Sequence, residues 1–193
     1  MNASADLKAC GISIRDQFVS AAEVRRLRKC ANDRQSRGDF AAARIGARAS
    51  AQRRAEVRGD FTCWLREPFQ GPERALLDRL EDLRLELNRE AYLGLFELEL
   101  HYALYPPGAG YAPHVDQPQG TTQRKVSLVL YLNEDWGPAD GGVLRMHDAN
   151  TQVLDIEPVG GRLVCFLTSG REHQVLPARR DRLSISGWFR GRE

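Results

Sequence analysis

Leu95-Phe96-Glu97-Leu98-Glu99-Leu100-His101-Tyr102-Ala103-Leu104-Tyr105 is the stretch on which the fold turns. Phe96, Leu98, Leu100, Tyr102 and Leu104 occupy every second position, with Glu97, Glu99, His101 and Tyr105 among the alternate ones. A period of two marks a strand with one face on a core. Just upstream the period is helical. Leu76, Leu77, Leu80, Leu83 and Leu87 recur at i, i+3/i+4 and i+7 after Gly71-Pro72, and Gly94 closes the run; this is a long amphipathic helix. Ser20-Ala21-Ala22-Glu23 fits a capping box that opens an earlier helix carrying Val24, Leu27 and Cys30. Downstream, turn signals at Pro106-Pro107-Gly108, Gly120, Gly137-Pro138, Gly141-Gly142, Gly160-Gly161 and Pro177 separate short strand candidates at 126–132, 143–147, 162–167 and 182–189. The expected class is α+β, mainly β. Helices over 1–94 support a β core over 95–193 rather than forming an independent domain. Regularly spaced short strands point to a sandwich or barrel, jelly rolls included.

Composition sets wide bounds. The 193 residues are 42% hydrophobic and 28% charged, as in ordinary globular chains. No run approaches the ~18 apolar residues of a membrane span. The N-terminus lacks a basic-then-apolar leader, so the expected compartment is the cytoplasm. Cys10, Cys30, Cys63 and Cys165 are scattered, with no CxxC pair, against a disulfide scaffold or a cysteine-rich zinc site. Only three of the 28 basic residues are lysines, a bias expected of a GC-rich genome rather than of chemistry. The net charge of +2 hides an asymmetry: residues 1–60 hold 13 Lys/Arg against 7 Asp/Glu. Residues 34–58 are rich in arginine and alanine and poor in large apolar groups, which reads as a mobile loop or a loose hairpin.

Three residues are the candidates for metal chemistry, although His-x-Asp alone is more often a chance tripeptide. His114-Val115-Asp116 follows the first strand, and i and i+2 of an extended segment point the same way. His173 lies in a loop between two strand candidates. Two histidines and a carboxylate make a facial triad, which holds non-haem Fe(II) and leaves positions open. The strand after His173 splits into Leu183, Ile185, Gly187 and Phe189 on one face and Arg182, Ser184, Ser186 and Trp188 on the other. An arginine on the inner face of a barrel needs an anion, because a buried unpaired charge costs several kcal/mol; a dicarboxylate would supply it. On 126–132, Ser127, Val129 and Tyr131 share one face, and Tyr131 would donate to the same ligand.

The stretch Tyr105-Pro106-Pro107-Gly108-Ala109-Gly110-Tyr111-Ala112-Pro113-His114-Val115-Asp116 resembles the Fe(II)/2-oxoglutarate-dependent prolyl 4-hydroxylases of the oxygen-sensing type. So do Leu130-Tyr131-Leu132-Asn133-Glu134-Asp135-Trp136, Gly141-Gly142-Val143-Leu144-Arg145, Asp155-Ile156-Glu157-Pro158, His173-Gln174-Val175-Leu176-Pro177-Ala178 and Arg182 through Trp188. Upstream, Val57-Arg58-Gly59-Asp60 with Trp64 looks like the segment after that family's mobile finger loop. The likeness spans about residues 53–190, and the bacterial branch looks nearest.

The resemblance implies a double-stranded β-helix (jelly roll, cupin-like) with supporting N-terminal helices. It implies His114, Asp116 and His173 as iron ligands, and Arg182 with Tyr131 at the distal carboxylate of 2-oxoglutarate. Tyr105 falls near the other end of that cosubstrate, Leu144 and Val129 on its apolar walls, and Trp188 beside the iron. Ser186 stands where the animal enzymes have threonine. Arg58, Asp60 and Arg124 match polar residues that steady the loops over the peptide groove. His101 and His147 match no ligand position and read as structural. The implied cofactors are Fe(II), 2-oxoglutarate and O₂, with ascorbate as a stimulating reductant. The implied reaction is hydroxylation of a prolyl residue in a protein, with release of succinate and CO₂. The bacterial branch points to a translation factor such as elongation factor Tu, and to a monomer acting without membrane or nucleic-acid partners. Alternatives stay open: the same chemistry on another amino acid or a nucleic acid, or a non-catalytic metal-binding sensor. Against a nucleic-acid demethylase, the position six residues after Arg182 is Trp188, where that branch carries a second arginine.

Overall fold

The computed structural model describes residues 3–44, 54, 56–117, 123–147 and 152–192. Three helices and eleven strands follow in the order α1 (Ala3–Cys10), β1 (Ile12–Arg15), α2 (Ala21–Ser36), β2 (Ala41–Ala42), β3 (Phe61–Trp64), α3 (Gly71–Ala91) and β4 (Leu95–Tyr105). Then come β5 (Tyr111–His114), β6 (Arg124–Tyr131), β7 (Leu144–His147), β8 (Val153–Ile156), β9 (Leu163–Leu167), β10 (His173–Val175) and β11 (Arg182–Gly191). Two antiparallel sheets face each other, as in a jelly roll. The larger runs β1-β9-β6-β11-β4-β3-β2 and the smaller β5-β10-β7-β8.

Local chemistry explains the helix starts. The Ser20 backbone N–H donates to Glu23 Oε2 at 2.7 Å, and the Glu23 N–H donates back to Ser20 Oγ at 3.3 Å. In α3, Pro72 stands in the first turn, and Tyr92 at the C-cap takes a left-handed conformation. Leu76, Leu80, Leu83 and Leu87 are buried on one stripe of α3. They join Leu7, Val24 and Leu27 from the earlier helices and Leu100, Tyr102, Leu128, Leu130, Leu183, Ile185 and Phe189 from the sheet in one core. The alternation of β4 and β11 thus puts even positions of β4 and odd positions of β11 on the helices. The opposite faces line the space between the sheets.

The structure differs from the sequence reading over 34–58. Arg34 belongs to α2 and is buried; its guanidinium donates to both Glu73 carboxylate oxygens at 2.8 Å. Tyr102 on β4 also donates to Glu73, at 3.1 Å. One ion pair therefore joins α2, α3 and β4. Residues 41–42 form an edge strand paired with β3, in keeping with a hairpin over this stretch, and 45–53 and 55 lie outside the described residues. His173 also departs from its loop assignment, since it begins β10.

Two glycines permit close approach around the strand and turn that hold Arg182. A Cβ on Gly187 would sit inside the Glu99 carbonyl oxygen, so β11 can press on β4 there only without a side chain. Gly142 has φ +69°, and a Cβ would meet Arg182 Cδ at 3.1 Å.

Candidate metal centre

The register of the smaller sheet pairs His173 directly with His114, bringing the imidazoles to 4.2 Å between ring centroids. Asp116 follows β5 by two residues. Its Oδ1 lies 3.6 Å from His114 Nε2, and its Oδ2 3.7 Å from His173 Nε2. The three ligand atoms all fall within 4.8 Å of one another.

Each group is held from behind. His114 Nδ1–H donates to the Ala112 carbonyl at 2.8 Å, and His173 Nδ1–H to the Arg171 carbonyl at 3.1 Å. A carbonyl can only accept, so both Nδ1 atoms carry the proton and both Nε2 lone pairs are free for a metal. Ser127 Oγ donates to Asp116 Oδ2 at 2.6 Å, and Arg124 donates to the Asp116 carbonyl at 3.0 Å. Burial works to raise the Asp116 carboxyl, but His114, His173 and Ser127 outweigh it and hold it well below the usual range. Burial pushes His173 down, against the pull of Asp116. Two imidazoles that present Nε2 and an ionised carboxylate, all bordering the cavity, fit the facial donor set of Fe(II).

Deeper in the same cavity, Arg182 is 2% exposed. Its Nε–H donates to the Gly142 carbonyl at 2.8 Å, and its guanidinium sits 5.2 Å and 5.1 Å from the Tyr105 and Tyr131 ring centres. Among the described residues no carboxylate pairs with it. The Tyr131 hydroxyl, also buried, makes no hydrogen bond. An unpaired buried cation beside an orphaned hydroxyl fits the distal carboxylate of 2-oxoglutarate. Tyr105, which the resemblance sets near the other end of the cosubstrate, pairs with Arg182 in the β4–β11 register, and both tyrosine rings flank the guanidinium. Leu144, Val129, Ser186 and Trp188 line the cavity between Arg182 and the triad.

At the mouth, Arg58 donates to both Asp60 oxygens, at 2.7 and 3.0 Å, and covers the Tyr111 ring at 4.8 Å. Tyr111 in turn stacks on His114 with ring centroids 3.5 Å apart. Arg124 lies 3.4 Å over the Trp188 ring and 3.5 Å from Glu99. Arg58, through Tyr111, and Arg124, through the Asp116 carbonyl, thus brace the triad, with the buried Asp60 behind Arg58. Sequence reasoning missed Tyr111, Ser127 and His101. Ser127 shares a strand face with Val129 and Tyr131, which was its available signal. His101, read as structural, lines the cavity; the His147 side chain lies outside the described residues.

Comparison with known proteins agrees with this geometry. The sequence profile of the 2OG-Fe(II) oxygenase superfamily matches residues 100–190. Human Egl nine homolog 1 is 35% identical over 144 residues, 69% of this chain. The match covers 33% of that relative, so the chain spans about a third of its length. A crystal structure of a Pseudomonas putida prolyl-4-hydroxylase superposes with a TM-score of 0.90 at 40% identity, covering 99% of this chain and 98% of that one. A Trichoplax adhaerens prolyl hydroxylase, solved with a peptide fragment of the hypoxia inducible factor oxygen degradation domain, gives 0.86 at 27% identity, with coverage of 98% and 87%. Oxygenases of this superfamily work with Fe(II), 2-oxoglutarate and O₂, for which His114, Asp116 and His173 offer the metal donors. With a match that runs the full length of a bacterial relative and a cavity built for that metal and cosubstrate, this chain belongs to the Fe(II)/2-oxoglutarate-dependent prolyl hydroxylase family.

Proposed function

We propose that this protein hydroxylates a prolyl residue of a protein substrate. The observation that carries the reading is Arg182, a buried cation with no carboxylate partner among the described residues, in one cavity with a two-histidine, one-carboxylate cluster. In this reading His114, Asp116 and His173 hold Fe(II), and Arg182 with Tyr131 holds the distal carboxylate of 2-oxoglutarate. When bound, the metal and cosubstrate supply the oxidation: O₂ is consumed, 2-oxoglutarate leaves as succinate and CO₂, and the second oxygen atom enters a substrate C–H bond.

The chain's own residues bind and position. The carbonyls of Ala112 and Arg171 fix both imidazoles in the tautomer that presents Nε2. Ser127 fixes the carboxylate. Leu144 and Val129 wall the cosubstrate and exclude water, which strengthens the Arg182 contact. Tyr105 and Tyr131 keep the guanidinium from turning away. Arg58, which lines the cavity, is the one proposed to meet the substrate, with Asp60 orienting its guanidinium and Arg124 holding the Asp116 loop.

The finer substrate in this proposal is a prolyl residue of a translation factor such as elongation factor Tu, with a monomer acting in the cytoplasm. The bacterial relative and the peptide complex of the Trichoplax enzyme support a protein substrate. The test incubates purified elongation factor Tu with enzyme, Fe(II), 2-oxoglutarate and O₂, then reads succinate and a one-oxygen mass gain on proline. We expect Arg182→Ala to raise the 2-oxoglutarate KM by roughly 10–100-fold, the worth of a charge-assisted hydrogen bond. His114→Ala should abolish turnover. Full turnover by both variants would sink the site; succinate without oxygen gain on this substrate would sink the translation-factor reading alone.

A further inference from the structure

Among the described residues, three buried side-chain polar atoms make no hydrogen bond: the Tyr131 hydroxyl, His101 Nδ1 and Trp188 Nε1. The first lies beside Arg182. The other two lie on the larger sheet's wall of the same cavity, where His101 on β4 pairs with Ser186 on β11, two residues from Trp188. His101 is 2% exposed and Trp188 8%. Leaving such an atom unsatisfied costs about 1–3 kcal/mol. Packing alone does not account for a histidine here. Its ring packs against Trp64 at 4.9 Å and Trp188 at 5.5 Å, the two indoles lying 6.4 Å from each other, and Arg124 covers Trp188. An apolar side chain would fill that slot without the penalty.

The geometry points to a polar site built from His101 and Trp188, which holds one oxygen atom in the cavity facing His114, Asp116 and His173. The oxygen belongs to a water or to a carboxylate of the bound cosubstrate, and His101 is its positioning residue. The inference rests on the 2-oxoglutarate reading above. Burial, with Arg58 and Arg124 nearby, pushes His101 down to about 4. At neutral pH the ring therefore has one N–H and one lone pair. The indole N–H can only donate. Water completes either tautomer of His101, whereas a carboxylate oxygen requires the proton on Nδ1.

High-resolution crystal structures of the Mn(II)-loaded protein, with and without 2-oxoglutarate, test the site directly. We expect an oxygen within ~3.2 Å of His101 Nδ1. Its presence in both crystals identifies water; its appearance only with 2-oxoglutarate identifies the cosubstrate. Absence from both overturns the proposal. A second measurement compares His101→Leu and His101→Gln with the wild type under anaerobic Fe(II) and 2-oxoglutarate. His101→Leu should shift the charge-transfer band and weaken 2-oxoglutarate binding ~3-fold or more, while His101→Gln restores both, as loss and return of one hydrogen bond imply. A lower melting temperature with an unmoved band in His101→Leu would make the residue structural only and end the proposal. No charge-transfer band in the wild type would instead remove the function on which it rests.

Discussion

At His101, burial and two cations act in one direction. The ring is enclosed by Trp64 and Trp188, and the charges that reach it are those of Arg58, Asp60, Asp116 and Arg124. Its folded value of about 4 lies below the 6.5 of an exposed histidine. Between these values the unfolded chain binds a proton that the folded chain does not, so this residue's contribution to stability falls as pH falls from 6.5 towards 4. The loss amounts to about 3 kcal/mol at the acid end of that window. Urea denaturation of the wild type and His101→Leu at pH 7 and pH 4 should show the variant losing less stability on acidification. Equal losses would contradict the enclosed, neutral ring. At this scale the sequence was informative wherever a chemical type stood at a diagnostic spacing: His114 and Asp116 two apart, Arg182 on the polar face of a strand. It marked His101 only as structural, because histidine between two alternating apolar positions looks the same whether it faces solvent or a cavity. Tyr111 was equally hidden, since its partners Arg58 and His114 meet only in the folded chain.

Among the elements, α2 and α3 are tied by a buried charge. Glu73 accepts from Arg34, from Tyr102 and from the Gln70 backbone N–H at 2.9 Å. Burial works to raise its carboxyl, and these donors outweigh it and hold the group ionised. Glu73→Leu strands Arg34 and should cost ~3–5 kcal/mol, read by chemical denaturation. Arg34→Met combined with Glu73→Leu should recover most of the loss; a double variant as unstable as the sum would deny the coupling. This pair also explains the misread loop. An arginine among arginines looks solvated, and its partner lies 39 residues on. The long periodic elements, α3, β4 and β11, were legible because each repeats its pattern several times. Strands β1, β3, β5 and β10 hold three or four residues each, too few to establish a period.

Across the whole molecule, one apolar core runs from Leu7 on α1 to Phe189 on β11. We propose that residues 1–94 and 95–193 unfold together. Calorimetry should give one transition, and two resolved transitions would refute it. The sheet order then separates the site in a further way. Arg182 stands on β11, whose amides face β4 on one side and β6 on the other. His114 stands on the four-residue β5, at the rim of the smaller sheet, where the 57–59 segment adds only two backbone bonds. Amide hydrogen exchange in the metal-free protein should therefore be slowest along β11, which opens only with the whole fold, and much faster along β5. On the proposed assignment, the strand that carries His114 would breathe while the strand that carries Arg182 stays shut, so that release of a metal would not require opening of the sheet that forms the anion pocket.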